Sequence, residues 1–346
     1  MSFRYKYSWE RSTEEMDLEA HIYRVPLKHK FRGITERSGV LLYGQAGWAE
    51  VSPFWDYGIE YSSRWLLAGI DAAVAGYPKP RRASIAVNVT IPAVNAQAAY
   101  DIARAGGGAH TAKVKIAEPG QSLTDDLARL DAVRRALGPE AHIRVDVNGK
   151  WDVDTALESI PQLDAAAGGL EYVEQPCATV VELAYVRRHV DTPIAADESI
   201  RRAEDPFRVV EEDAADVVIL KNQPLGGVRS ALELAARLPL PVVVSSALES
   251  SVGLYSGLRF AAALPELNHA CGLATAQLFD GDVSSHSLLP HGGEIALSEI
   301  TPELESPAFT DVDDELRAAW QERFGAMWEY AVQQGSIPAN ARVHFA

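Results

Sequence analysis

Five short apolar segments with charged residues at or near their ends decide the fold of this chain. They are Ala112-Lys113-Val114-Lys115-Ile116, Ile143-Arg144-Val145-Asp146-Val147-Asn148, Leu170-Glu171-Tyr172-Val173-Glu174-Gln175-Pro176, Ile194-Ala195-Ala196-Asp197-Glu198-Ser199 and Val217-Val218-Ile219-Leu220-Lys221. Ionised groups at the ends of buried strands are costly to desolvate unless they are paired or bind a metal. The series therefore predicts one charged site, with a divalent cation between lysine acid/base groups.

Strands and amphipathic helices alternate along the chain on both sides of these segments. Helical patterns at 123–137 and 228–238 lie between apolar runs, which favours parallel strands with crossover helices. Eight such units predict a closed α/β barrel over residues 83–299. A doubly wound open sheet is the alternative, but it would usually carry a glycine-rich phosphate turn after an early strand, and none is seen. The eight predicted strands are 84–89, 112–116, 142–147, 170–174, 194–197, 217–220, 241–245 and 270–273.

The region before residue 82 has a different pattern of predicted strands and helices. Short alternating strands, such as 39–44, precede a helical stretch near 62–75, which predicts an α+β domain. The breaker cluster 77–81 then marks a boundary, so we assign residues 1–82 to an N-terminal capping domain. The amphipathic run 314–334 lies outside the barrel, and we expect 300–346 to pack back on this domain. Because Met16 precedes the first predicted strand, residues 1–15 are either a flexible extension or an upstream start choice.

Composition excludes several classes of protein. The 346 residues carry 32 basic and 48 acidic side chains, a formal charge of −16, which argues against a nucleic-acid binder. Cys177 and Cys271 are too few for a disulfide framework and form no zinc spacing, which fits a reducing cytosol. The first 19 residues have no apolar signal region, and no run of about 18 apolar residues occurs. We expect a cytoplasmic protein without a membrane partner; the sequence carries no signal for an oligomeric state.

The strand-end residues define the expected chemistry. In such a barrel the reactive groups lie at the carboxyl ends of the strands, where Asp146, Glu174 and Asp197 fall. Three carboxylates without histidine or thiolate favour Mg²⁺, with Mn²⁺ as a possible substitute. Glu198 adjoins Asp197, and because side chains alternate along a strand we expect Glu198 to support the ligand rather than bind metal.

Lysines flank these carboxylates in the chain. Lys113 and Lys115 share one strand face, so each disfavours the charge of the other, and at least one could be a neutral base. A base beside a divalent cation suits removal of a proton α to a carboxylate, with Lys221 facing the substrate from the opposite side. Each residue alone is more often a surface lysine or a helix cap. Five such groups in the order base, acid, acid, acid, base favour one catalytic site.

These motifs resemble the enolase superfamily, specifically its muconate lactonising subgroup. The matching residues are Lys113-Val114-Lys115, Asp146-Val147-Asn148, Glu174-Gln175-Pro176, Asp197-Glu198-Ser199 and Lys221. The resemblance spans nearly the whole chain. It implies a modified (β/α)7β barrel with an α+β capping domain.

Two further segments resemble the o-succinylbenzoate synthase family: Phe31-Arg32-Gly33-Ile34-Thr35 and Ser245-Ser246-Ala247-Leu248-Glu249-Ser250-Ser251-Val252-Gly253. The resemblance implies a lyase of menaquinone biosynthesis that dehydrates 2-succinyl-6-hydroxy-2,4-cyclohexadiene-1-carboxylate through an enediolate. Lys115 would remove the α-proton and protonate the departing hydroxyl, and Lys221 would stabilise the enediolate. The implied substrate-binding residues are Arg32, Asn148, Ser245 and Ser246.

Other activities of the superfamily remain open from the sequence. Dipeptide epimerases carry an Asp-x-Asp pair at the eighth strand, where this chain has Cys271-Gly272-Leu273-Ala274-Thr275, which argues against them. N-succinylamino acid racemase and muconate cycloisomerase need the same lysines and ligands, so they are the alternatives. A catalytically silent scaffold is a third hypothesis, against which the intact set of charged groups counts. The loop-rich stretch 47–55 could form either a lid or part of the core.

Overall fold

The computed structural model describes residues 16–203, 205–338 and 340–346. The predicted extension or start choice at residues 1–15 therefore lies outside the described residues. The strands, in chain order, are β1 (Asp17–Phe31), β2 (Ile34–Gly44), β3 (Gly47–Val51), β4 (Ser84–Ala86), β5 (Val89–Ile91), β6 (Thr111–Lys115), β7 (His142–Asp146), β8 (Tyr172–Glu174), β9 (Ile194–Ala196), β10 (Val217–Leu220), β11 (Val242–Val244), β12 (Glu294–Ala296) and β13 (Arg342–Phe345).

Helices connect most of these strands. Two begin at capping boxes: Ser122 and Asp125 cap the helix Leu123–Leu137, and Thr179 and Glu182 cap the helix Val180–Arg187. The helices are α1 (Ile59–Ala75), α2 (Ala96–Arg104), α3 (Leu123–Leu137), α4 (Val153–Ala167), α5 (Val180–Arg187), α6 (Glu198–Arg201), α7 (Arg208–Glu211), α8 (Val228–Arg237), α9 (Ser251–Ala263), α10 (Pro307–Thr310) and α11 (Asp314–Gln333).

Seven parallel strands form the central sheet. Their order runs from β5 to β11 without interruption, so each strand pairs with the next in the chain. The segment after α9 closes this sheet, because Cys271 bridges to Val87 and Gly272 bridges to Ser245, both in parallel. Sequential order with closure confirms the predicted α/β barrel, since a doubly wound sheet reverses its strand order.

Two of the eight predicted strands differ from the structure. The predicted strand 84–89 divides into β4, which pairs antiparallel with β12, and β5, which joins the barrel. Apolar residues recur at every second position across the division, at Ile85, Val87, Val89 and Ile91, so the sequence pattern does not reveal the change of partner. The predicted strand 270–273 is reduced to the two bridges that close the barrel.

A four-stranded sheet in the order β13-β1-β2-β3 packs against α1 and α11, and we call this unit the cap. Trp320 of α11 is fully buried and donates its indole N–H to Ser38 Oγ at 3.0 Å. The predicted α+β cap is thus confirmed. In the described ranges no helix is both long and apolar enough to cross a bilayer.

A buried ion pair lies near the amino ends of the barrel strands. Arg144, on the same face of β7 as Asp146, contacts Glu171 at 2.6 Å and donates to the carbonyl of Ala270 at 2.9 Å. Glu171 also lies 2.7 Å from His269 Nδ1. Arg144 therefore ties β7 to the irregular segment that closes the barrel.

Replacing Glu171 is expected to change the pH dependence of stability. Burial raises the pKa of Glu171, but His269 and Arg144 outweigh it and lower the pKa from 4.5 to about 2. A folded pKa below the unfolded one stabilises the fold above about pH 4.5 and loses this effect as the pH falls toward 2. Urea unfolding should thus show wild type more stable than Glu171→Gln, with the difference shrinking between about pH 5 and pH 3. Glu329→Gln, on the exposed face of α11, is the control; a Glu171→Gln difference that stays constant with pH contradicts the prediction.

Candidate active site

A cavity of about 540 Å³ opens between the cap and the carboxyl ends of the barrel strands. The cap contributes aromatic side chains to the wall of this cavity, and the barrel contributes charged side chains. Its lining includes Arg32, Phe54, Tyr57, Lys113, Lys115, Asp146, Asn148, Glu198, Arg201, Arg202, Lys221, Ser245, Ser246, Ala247 and Leu248.

Strand register brings three of the predicted site residues to one level. Lys115 on β6 is paired with Asp146 on β7, which is paired with Glu174 on β8. Lys115 Nζ donates to Asp146 Oδ2 at 2.6 Å. Lys113 Nζ lies 2.9 Å from the same oxygen and 2.6 Å from Glu174 Oε1, so its ammonium group joins the two carboxylates.

Asp197 and Lys221 form the second half of the charged cluster. Lys221, which follows β10, donates to Asp197 Oδ2 at 2.5 Å. Arg201 donates to the other oxygen of Asp197 at 2.9 Å and to Glu198 Oε1 at 2.7 Å. Asp197 is fully buried, and each of its two carboxylate oxygens faces a cation.

The two lysines of β6 have opposite pKa shifts. Burial lowers the pKa of Lys115, and although Asp146 opposes this change, the charge of Lys113 adds to it. Burial also lowers the pKa of Lys113, but the negative charges of Asp146 and Glu174 outweigh burial and raise this pKa above its usual value. Lys115 is therefore the better candidate for a neutral base, while Lys113 stays charged.

The three buried carboxylates differ in the direction of their pKa shifts. Burial opposes ionisation of Asp146 and Asp197, but the neighbouring lysines and Arg201 hold the pKa of each carboxyl below its usual range. Burial, together with the charge of Asp146, raises the pKa of Glu174 to about 7. Glu174 is thus the carboxylate with the least compensating positive charge.

The donor set fits a hard divalent cation. Three buried carboxylates supply oxygen ligands only, and Glu198 Oε2 is buried without a hydrogen-bond partner among the described residues. Within the described ranges, no three His, Cys, Asp or Glu side chains are already grouped as a ligand set. Lysine ammonium groups lie between the carboxylates instead, and Glu174 and Asp197 lie below the cavity wall.

The four residues predicted to bind substrate all line the same cavity. Asn148 accepts from Lys115 Nζ at 2.7 Å and donates to Glu198 Oε1 at 3.3 Å. Ser246 shares a 2.7 Å hydrogen bond with Thr275. Arg32 lies on the cap side, 3.2 Å from Asp56 and 4.0 Å from the ring centre of Phe54.

The stretch 47–55, which the sequence predicts to be rich in loops, begins as β3 and continues beyond Val51 toward the cavity. Phe54 lines the cavity. Trp48 packs on Tyr43 with ring centres 4.9 Å apart, and Trp55 packs on Trp320 at 4.6 Å. Only the end of the stretch therefore reaches the cavity.

Sequence reasoning missed two residues that hold this site together. Arg201 lies four residues after Asp197, the spacing at which helical side chains meet, and this signal was present in the sequence. Gln175 is fully buried and its Oε1 accepts from the backbone N–H groups of Asp197 and Ser199 at 3.0 and 3.1 Å. Gln175 therefore fixes the turn that carries Asp197.

Two family models match the chain. The model described as Enolase C-terminal domain-like matches residues 93–302, and the one described as Enolase N-terminal domain-like matches residues 22–73. The first covers the barrel strands β6 to β11 with their strand-end charges, and the second covers β2, β3 and most of β1 and α1.

Relatives of known activity are similar over most of the chain. An o-succinylbenzoate synthase of Thermobifida fusca is 54% identical over 310 residues, which cover 89% of this chain and 96% of the relative. An o-succinylbenzoate synthase of Mycobacterium leprae is 50% identical over 291 residues, which cover 84% of this chain and 85% of the relative.

Solved structures with lower identity share the fold. The L-Ala-D/L-Glu epimerase from Bacillus subtilis matches with a TM-score of 0.71 at 21% identity, covering 84% of this chain and 98% of the epimerase. The muconate lactonizing enzyme from Pseudomonas fluorescens matches with a TM-score of 0.71 at 22% identity, covering 88% of this chain and 98% of that enzyme. At this identity the likeness concerns the fold alone.

Replacing Gln175 is expected to destabilise the protein. Gln175→Leu leaves the N–H groups of Asp197 and Ser199 unpaired in a buried site, which costs about 1–3 kcal/mol for each. Urea unfolding should therefore show a loss of about 2–6 kcal/mol. Gln162→Leu, at an exposed position of α4, is the matched control and should change stability little. A loss no larger than that of the control would contradict the prediction.

Proposed function

The chain belongs to the o-succinylbenzoate synthases of the enolase superfamily, and on that premise we propose that it dehydrates 2-succinyl-6-hydroxy-2,4-cyclohexadiene-1-carboxylate to o-succinylbenzoate in menaquinone biosynthesis. As a member of this family it is an enzyme, a carbon–oxygen lyase. The observation that carries the proposal is that Lys115, at the end of β6, and Lys221, directly after β10, line one cavity beside three buried carboxylates.

Enolase-superfamily enzymes use divalent metals, and for this chain we propose Mg²⁺, with Mn²⁺ as a substitute. Asp146, Glu174 and Asp197 would hold the ion, and Glu198, which is tied to Arg201 and Asn148, would support them. The bound ion supplies positive charge that stabilises a substrate carboxylate as negative charge builds up on it. The shortage of positive charge around Glu174 supports this assignment.

Lys115 acts as base and then as acid in this proposal. As a neutral amine it takes the proton from the carbon that bears the ring carboxylate, and the electron pair enters the enediolate. The electrons then return to the ring, the C–O bond to the hydroxyl breaks, and the lysine gives its proton to the departing hydroxide. One water leaves and the ring becomes aromatic. The lowered pKa of Lys115 supports this role.

The other two lysines act through their ammonium groups in this proposal. Lys221 faces the cavity from β10, and its ammonium group stabilises the enediolate electrostatically. Lys113 joins Asp146 to Glu174 and keeps the charge next to Lys115, which favours the neutral form of the base. Lys113 is thus catalytic through the charge that it holds beside the reacting lysine.

Substrate binding in this proposal uses Arg32, Asn148, Ser245 and Ser246. The proposed substrate is a dianion, so Arg32 on the cap side offers a cation at a distance from the lysines. Asn148 orients Lys115 through its amide oxygen. The two serines supply polar groups from the turn that follows β11.

We divide the chain into a capping domain of residues 1–82, with 300–346 packing on it, and a catalytic domain of 83–299. Packing of α11 on α1 supports this division. The two cysteines are free and buried, which supports work in a reducing cytoplasm. The racemase and cycloisomerase alternatives are supported only by structures at 20–22% identity, such as the N-succinyl Arg/Lys racemase of Bacillus cereus and the muconate lactonizing enzyme of P. fluorescens.

Turnover of the cyclohexadiene carboxylate tests the proposal. Purified protein with Mg²⁺ should form o-succinylbenzoate, followed by the ultraviolet absorbance of the aromatic product. Lys115→Ala removes the acid/base group and should lower kcat by about 10²–10⁴-fold. Lys79→Ala, at an exposed position, is the matched control and should keep wild-type activity.

Removal of metal gives a second arm of the same experiment. Treatment with EDTA should abolish turnover, and added Mg²⁺ should restore it. If the wild type with Mg²⁺ forms no product, the proposal is wrong, and N-succinylamino acids and muconates become the substrates to assay. Full activity of Lys115→Ala would contradict the assigned base.

A further inference from the structure

The turn after β11, which forms part of the cavity wall, contains a leucine in the left-handed backbone conformation. Leu248 follows Ser246 and Ala247 in the lining and has a φ of +64°, in the left-handed region that side chains other than glycine rarely adopt. Its side chain is almost fully buried. Such a conformation persists only where the surroundings hold it, so the contacts that hold Leu248 set the shape of this wall.

The cap supplies these contacts. Arg37 of β2 is 2% exposed, and its Nε donates to the carbonyl oxygen of Leu248 at 2.9 Å. Glu50 of β3 accepts from the backbone N–H of Ser250 at 3.0 Å and from that of Gly253 at 3.1 Å. The turn is thus fastened to the cap on both sides of Glu249.

Arg37 also reaches the cap side of the cavity. Its Nη2 donates to the carbonyl oxygen of Ser52, and its guanidinium group lies 4.1 Å from the ring centre of Phe54, which lines the cavity. One buried side chain therefore connects the aromatic wall from the cap with the left-handed turn from the barrel. Glu50 and Glu249 both lie within the field of its positive charge, which offsets the cost of its burial.

We propose that Arg37 is a positioning residue that fixes the Phe54 and Leu248 walls relative to each other and so determines how tightly the substrate is held. The inference rests on the proposed function. Arg37 does not line the cavity, and its bonds go to backbone carbonyls and an aromatic face rather than to the lysines. Its loss should therefore weaken binding of substrate and transition state alike, which raises KM with little change in kcat.

Arg37→Lys is the test variant. Lysine keeps the positive charge near Glu50 and Glu249, but it lacks the planar guanidinium group that contacts two backbone carbonyls and an aromatic ring at the same time. Arg229→Lys is the matched control. Arg229 of α8 also joins barrel to cap through carbonyls, those of Ala75 and Gly76 at 3.0 Å, but it lies outside the cavity lining. We expect Arg37→Lys to raise KM roughly tenfold with kcat within about twofold, and Arg229→Lys to change neither.

A readout that does not need turnover accompanies the kinetics. o-Succinylbenzoate should raise the thermal unfolding midpoint of wild type and of Arg229→Lys, and should raise that of Arg37→Lys markedly less at the same concentration. An unchanged KM in Arg37→Lys, a fall in kcat without a rise in KM, or an equal product-induced shift would overturn the inference. Unfolding of Arg37→Lys below the assay temperature while Arg229→Lys stays folded would also overturn it, because the role would then be structural.

The outcome for the proposed function is separate. Wild-type turnover alone decides whether the chain acts on the cyclohexadiene carboxylate. With an active wild type, only the contrast between Arg37→Lys and Arg229→Lys bears on the positioning role.

Discussion

The alternation of buried carboxylates with lysine and arginine cations is the constraint on which the rest of this structure depends. Asp146, Glu174 and Asp197 are at most 1% exposed, and ionised groups at that depth are tolerated only with close counter-charges. Parallel strands in register supply them, because the carboxyl ends of β6 to β10 meet at one edge of the barrel. The same arrangement separates the two lysines of β6 into one that stays charged and one whose charged form is disfavoured. The fold thus generates the acid/base difference that the proposed dehydration needs.

The cap supplies the part of the cavity wall that the barrel does not form. Reactive groups come from barrel strands, whereas the aromatic and cationic wall around the distal part of the cavity comes from Phe54, Tyr57 and Arg32. The two parts meet through buried polar contacts, in which Arg37 and Glu50 hold the turn after β11. The proposed acid/base lysines and the aromatic wall of the cavity therefore come from different parts of the fold.

The sequence predicts the barrel, the cap and the residues at the strand ends because each leaves a local pattern. Charges at the ends of apolar runs indicate Lys115, Asp146 and Glu174, and alternation along the strand indicates that Lys113 shares the face of Lys115. The division of the strand 84–89 and the reduction of 270–273 to bridges leave no such pattern, since they depend on the pairing partner. The bond from Arg37 to Leu248 joins residues 211 positions apart and requires the cap to be docked on the barrel. Contacts of this kind follow from tertiary structure alone.

The central proposal is that the three buried carboxylates together hold one divalent cation, and calorimetric titration of Mg²⁺ tests it most directly. The account predicts saturable binding of one ion per chain to metal-free wild type, and at least tenfold weaker binding to Glu174→Gln, in which a neutral amide replaces the carboxylate that has the least compensating charge (about 1.4 kcal/mol for each tenfold change). Glu329→Gln, on the surface of α11, should bind like the wild type. Absence of saturable binding to the wild type, or equal binding to Glu174→Gln, would contradict the account.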